Sequence, residues 1–175
     1  MRTAARIALA SAVVTAAITL LIEARADVVQ IERGKYLIAI AGCNDCHTPG
    51  SLFGKPDMAQ YLGGSDVAFE IPGTGAFAGA NITPDNETGI GNWTTEQIVT
   101  ALQTGQRPDG RILASAMPWR DYATLSKEDA TAIAVFLKNI PPIKHQAAGP
   151  FAPGEKVTSF LYRILPPGET VAAAK

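Results

Sequence analysis

The chain has 175 residues, 47% of them hydrophobic and 18% charged, the makeup of one ordinary globular domain able to bury a core; a chain disordered throughout is excluded. Its formal charge is −1, and its lysines and arginines are scattered rather than gathered into a stripe, so no nucleic-acid partner is expected.

In chain order, Arg2 and Arg6 precede an apolar run over 7–22, and Ala24-Arg25-Ala26 offers small residues at the two positions a signal peptidase reads. The reading is an export signal over 1–26, with Asp27 as the first mature residue. An uncleaved anchor is the alternative, because the run approaches the ~17–25 residues that cross a bilayer. Either way the body of the protein faces the exported side. Removal takes away Arg2, Arg6, Arg25 and Glu23, which leaves 12 basic and 15 acidic side chains.

Residues 28–41 predict a helix with Val29, Tyr36, Leu37 and Ile40 on one face. Gly34 inside it costs roughly 1 kcal/mol and points to the close approach of another backbone. The helix leads directly into "CNDCH", residues 43–47, which hold both cysteines and one of the two histidines. Such a pair has three uses in an exported chain. A thioredoxin-like redox pair would follow a strand, and here the upstream segment is helical. A zinc site would need four ligands, and only His145 or a carboxylate could complete Cys43, Cys46 and His47. Covalent haem attachment has C-x-x-C-H as its specific signature. Two thiols one turn apart add to the two vinyl groups on one side of the porphyrin, and the next residue, His47, is carried to the iron. One haem c is the expected cofactor, held by Cys43, Cys46 and His47, while Asn44 and Asp45 only span the turn.

The sixth position of such an iron decides carrier against catalyst. Met58 lies eleven residues after His47 in a loop punctuated by Gly and Pro, where crossing to the far face of the haem is hard. Met117, its chain direction fixed by Pro118 in "GRILASAMPWRDY", is the expected second axial ligand. His145, in a tail after Pro141-Pro142, is the alternative.

The stretch 48–93 is rich in Gly, Pro, Asn and Thr and too long to be structureless, so it is expected to wrap something, with the haem edge available. Within it, Asn81, Thr83 and Asp85 form a turn beside Pro84. Thr94 with Gln97 caps a short helix that puts Ile98, Ala101 and Leu102 inward and ends at Gly105. Ser126, with Asp129 reaching back, opens a third helix carrying Ala130, Ile133, Ala134, Leu137 and Ile140, which Pro141 stops. Three helices and little else periodic read as an all-α domain over 27–143, followed by a proline-rich tail over 144–175. Phe160, Leu161 and Tyr162 in that tail either tuck onto the core or form a docking patch. For the anionic haem propionates, Trp93 and Arg111 are the first candidates, with Arg107 and Tyr61 behind them.

"GKYLIAIAGCNDCHT", "NITPDNETGIGNWTTEQIVTAL", "GQRPDGRILASAMPW" and "LSKEDATAIAVFLKNIPP" carry a resemblance in the same order along the chain. Over about 31–143 the chain resembles the class I cytochromes c. It resembles more closely the cytochrome c domains that serve as electron-accepting subunits of membrane-associated bacterial dehydrogenases for alcohols, aldehydes, gluconate and related substrates. The resemblance implies three to five helices wrapped around one covalent haem with long irregular loops, and an N-terminal helix crossing a C-terminal one near Gly34 and Phe136. It also implies Cys43 and Cys46 as thioether anchors and His47 and Met117 as axial ligands. Those subunits typically carry three haem domains, and this chain has one C-x-x-C-H. The expected function is one-electron transfer in the periplasm, from a donor dehydrogenase toward an acceptor oxidase or cytochrome, with membrane association through the partner or an uncleaved N-terminus. No substrate chemistry is required of the chain. A peroxidase-like haem enzyme or a gas-binding sensor with a labile Met117 is the alternative, although two histidines are poor material for a distal acid-base group.

Overall fold

A computed structural model describes residues 25–165 and 167–168. Residues 1–24 of the export signal expected over 1–26, and residues 166 and 169–175 of the tail, lie outside them. Helix α1 covers 25–40 of the described residues. It is followed by α2 (Cys43–His47), α3 (Thr95–Thr104), α4 (Trp119–Tyr122) and α5 (Lys127–Asn139). No helix of the described residues is long and apolar enough to cross a membrane.

Helices α1 and α5 cross where α1 has no side chain. A Cβ on Gly34 would fall on the Ala132 carbonyl oxygen and lie 2.7 Å from the Phe136 Cβ, so only glycine permits this approach. The crossing decides which stripe of α1 turns inward. Leu37 and Ile38 are buried with Ile31 beside them, whereas Val29, Tyr36 and Ile40 are 68%, 54% and 62% exposed. The expected inward face is therefore corrected in all but Leu37. α1 carries two apolar stripes, periodicity cannot rank them, and the contact at Gly34 selects the one that includes positions 34, 37 and 38.

The other helix ends follow their sequence signals. Thr94 and Gln97 form a reciprocal capping box, and Gly105 closes α3 in the left-handed conformation at φ 73°. The Ser126 hydroxyl accepts from the Asp129 amide. The Asp129 carboxylate does not reach back, however. It takes a two-pronged bond from Arg33 of α1, at 2.8 and 3.0 Å, because a guanidinium fork is a stronger partner than one amide. The main core gathers Leu37 and Ile38 of α1, Ile98 and Leu102 of α3, and Ile133, Phe136 and Leu137 of α5.

The expectation of an all-α domain is corrected by a small sheet. β1 (Val67–Ile71) pairs antiparallel with β2 (Gly75–Ala78) and parallel with β3 (Phe160–Tyr162), in the order β2-β1-β3. The strands are three to five residues long. Two of them lie inside the long loop and the third comes from the tail some 90 positions later, so no local periodicity announces the pairing. Ahead of the strands the loop also folds into 3-10 turns at Ser51–Phe53 and Met58–Gln60. Phe151 brings the tail onto the sheet, where it forms a second small core with Ala68 and Ala76.

Candidate functional site

The site starts at the end of α1. Gly42, at φ 66°, turns the chain into α2, whose five residues are the whole "CNDCH" motif. Both cysteines are free, and they sit one helical turn apart. Burial pushes the Cys43 thiol up to about 11, and burial likewise raises Cys46. A redox-active pair needs the opposite shift, toward thiolate, and a helix rather than a strand precedes the motif. Among the described residues no group of three or more His, Cys, Asp and Glu is arranged to hold a metal ion, so no zinc set is assembled around the pair.

His47 is buried, and its Nδ1–H donates to the Ala80 carbonyl at 2.6 Å. A carbonyl can only accept, so the proton sits on Nδ1 and the Nε2 lone pair is free. Burial lowers the pKa of this ring, which keeps it neutral, the form that ligates a metal. The long loop supplies the partner. Gly79 crosses the Cys46–His47 peptide so closely that a Cβ there would fall on the Cys46 carbonyl oxygen and lie 2.7 Å from its carbon. The same loop fastens the turn elsewhere. The Gly64 amide donates to the His47 carbonyl at 2.8 Å, and the Leu62 amide donates to the Thr48 hydroxyl at 2.8 Å. Thus 48–93 does wrap something, and what it wraps is the histidine turn.

Asn81, buried, joins this loop to the tail. Its amide donates to the Ile143 carbonyl at 2.6 Å and its carbonyl accepts from Thr83, while Asp85 closes the expected turn with Thr88. His145 is fixed nearby, with Nδ1 donating to the Gly63 carbonyl at 2.8 Å. Because Gly64 in turn bonds the His47 main chain, His145 belongs to the His47 side of the site. Met58 opens an exposed 3-10 turn.

Met117 is half-buried and packs against the main core, as do Cys43, Tyr61, Trp93 and Tyr122. Burial raises the phenols of Tyr61 and Tyr122, with the nearby Cys43 adding to it. The segment 105–113 folds into a hairpin in which Arg107 and Arg111 flank Asp109. Arg111 donates to Asp109 and is 61% exposed. The guanidinium of Arg107 instead lies 5.6 Å over the Trp93 ring. Its Nε is buried without hydrogen-bond geometry, 3.5 Å from Asp109 Oδ2. The indole N–H of Trp119, also buried, has no acceptor among the described residues. Two thiols a turn apart, followed by a neutral imidazole with a free Nε2, are a donor set that fits a covalently held haem, and the buried Arg107 Nε and Trp119 Nε1 are donors left without a partner among the described residues.

Sequence reasoning missed Gly79, Ala80, Trp119 and Tyr122. Gly79 carries a weak signal, standing among small residues in "GTGAFAGAN"; the others have none.

No family model matches the chain. It is 39% identical over 126 residues to the cytochrome c subunit of alcohol dehydrogenase (quinone) from Gluconobacter oxydans, a match covering 71% of this chain and 24% of that relative. It is also 39% identical over 114 residues to the fructose dehydrogenase cytochrome subunit of Gluconobacter japonicus, covering 65% and 22%. The gluconate 2-dehydrogenase cytochrome c subunit of Pantoea cypripedii is 34% identical over 114 residues, covering 65% and 24%. The chain spans about a quarter of the length of these relatives. It belongs to the cytochrome c family that these dehydrogenase subunits represent.

Proposed function

We propose that the chain is an exported monohaem c-type cytochrome that takes single electrons from a dehydrogenase and passes them to an acceptor oxidase or another cytochrome. Cys43 and Cys46 are the thioether anchors and His47 and Met117 the axial ligands. The haem-bearing domain spans 27–143 after an export signal over 1–26 and before a proline-rich tail over 144–175, of which Phe151 and Phe160–Tyr162 lie on the sheet. The reading is carried by the buried His47, whose Nδ1–H is committed to Ala80 and whose Nε2 is therefore free, one residue after a pair of thiols a turn apart. Bound there, the haem supplies an iron that exchanges one electron.

The chain's own residues supply the rest. The Ala80 carbonyl orients the ring and fixes its tautomer by accepting from Nδ1–H, a bond that would make Nε2 a better metal ligand. Met117, a neutral thioether, would be the second residue to hold the iron and would raise its reduction potential relative to a second histidine. Trp93 and Arg111 are the proposed propionate donors, and the buried Nε of Arg107 adds a third. With His47 and Met117 both holding the iron, the role proposed for the chain is that of a carrier, with no substrate chemistry of its own. Periplasmic residence and docking at a membrane-associated dehydrogenase follow from the same reading.

Expression with a haem c maturation system tests it. The purified protein should gain the mass of one haem, lose it in the Cys43→Ala/Cys46→Ala double variant, titrate with one electron, and turn over no peroxide. A second haem, or peroxide turnover at enzymatic rates, contradicts the proposal.

A further inference from the structure

Haem attachment by itself leaves Tyr122 without a role, although its hydroxyl is committed. It donates to the Ala41 carbonyl at 3.0 Å across 81 positions of sequence. Ala41 lies in the turn between α1 and the cysteines, where carbonyls at a helix end have lost their intrahelical donors. Tyr122 itself closes α4, and α4 is tied to Met117. The Trp119 amide donates to the Met117 carbonyl at 2.8 Å, and the Asp121 and Tyr122 amides donate to the Pro118 carbonyl at 3.0 and 3.4 Å. Among the described residues no other side-chain hydrogen bond joins 41–47 to 114–123. The ring is half-buried against the main core. Burial raises the pKa of the phenol above its ordinary value, so it stays an O–H donor throughout the neutral range.

We infer that Tyr122 is a positioning residue whose hydroxyl straps the Met117 segment to the turn that carries Cys43, Cys46 and His47. The inference rests on the His47/Met117 reading. By holding the two segments in register, the strap keeps the Met117 thioether in place against competing ligands.

Tyr122→Phe keeps the ring and removes only the donor. In the ferric haem protein this variant should bind added imidazole about five- to tenfold more tightly than the wild type, the size expected for one lost hydrogen bond. The methionine-to-iron charge-transfer band should fade at correspondingly lower imidazole. Thr94→Ala, which removes a helix cap of similar net worth elsewhere in the domain, should lower the Tm and leave imidazole affinity unchanged. Three results overturn the strap. Unchanged imidazole affinity in Tyr122→Phe, with the band present in the wild type, overturns it and leaves the ligand reading standing. Equal tightening in both variants overturns it as general loosening. Absence of the band from the wild type removes the Met117 reading itself, and the strap with it.

Discussion

Around His47 the chain is fastened from three directions, by the Ala80 carbonyl on the ring, the Gly64 amide on the main-chain carbonyl and the Leu62 amide on the Thr48 hydroxyl beside it. The Met117 segment, by contrast, hangs between a hairpin and a four-residue helix on the main-chain bonds of Ala114 and Trp119, with Tyr122 as its side-chain tie. The difference matches the two roles proposed for these residues. An imidazole has two nitrogens and two charge states, so a partner must fix which nitrogen is bare; a thioether has one neutral donor and needs only to be held nearby. In the proposed reading the firm side would set the attachment, and the lightly held side is where an outside ligand would compete.

The largest expected effect breaks the firm side. In Gly79→Ala the new methyl has no room against the Cys46–His47 peptide, and the neighbour in its way is backbone. A loss of about 3 kcal/mol, at the upper end for overpacking, should appear in denaturant unfolding of the haem protein, with a fall in haem-loaded yield. Gly34→Ala strikes the crossing that delivers α1 to the cysteines, where the obstacles are the Ala132 carbonyl and Phe136. About 2 kcal/mol should be lost by the same measurement, with His47 ligation intact in whatever remains folded.

Least affected should be the surface link between α1 and α5. Arg33 holds the Asp129 carboxyl below its ordinary value of 3.8 through their side-chain bond. A folded-state pKa below the unfolded one adds stability above the unfolded value, and this is lost as pH falls through the folded value. Arg33→Gln should therefore weaken the domain slightly at neutral pH, and the deficit against wild type should shrink as pH drops below about 4 and when salt is added. A deficit that grows in acid would contradict the pairing.

Legibility in the sequence divides along the same line. The motif "CNDCH", the capping box at Thr94 and Gln97, the cap at Ser126 and the close approach at Gly34 are local chemistry, and each lies where its residues said it would. The inward face of α1 was misread because two apolar stripes compete and only a distant helix chooses between them. The sheet was invisible because Val67–Ile71 finds Phe160–Tyr162 across the length of the domain. Ala80 and Tyr122 were out of reach for a related reason. Ala80 acts through its main-chain carbonyl, which every residue has, and Tyr122 through a bond to a carbonyl 81 positions away.

The most direct measurement is the optical spectrum of the haem-loaded protein in both oxidation states, followed by carbon monoxide added to the reduced form, with wild type beside Met117→Ala. A methionine-to-ferric-iron charge-transfer band in the wild type, absent from Met117→Ala, with no carbon monoxide shift until the methionine is removed, is the result expected of a His47/Met117 carrier. Ready carbon monoxide binding by a wild type that lacks the band would contradict it and leave an iron open to ligands.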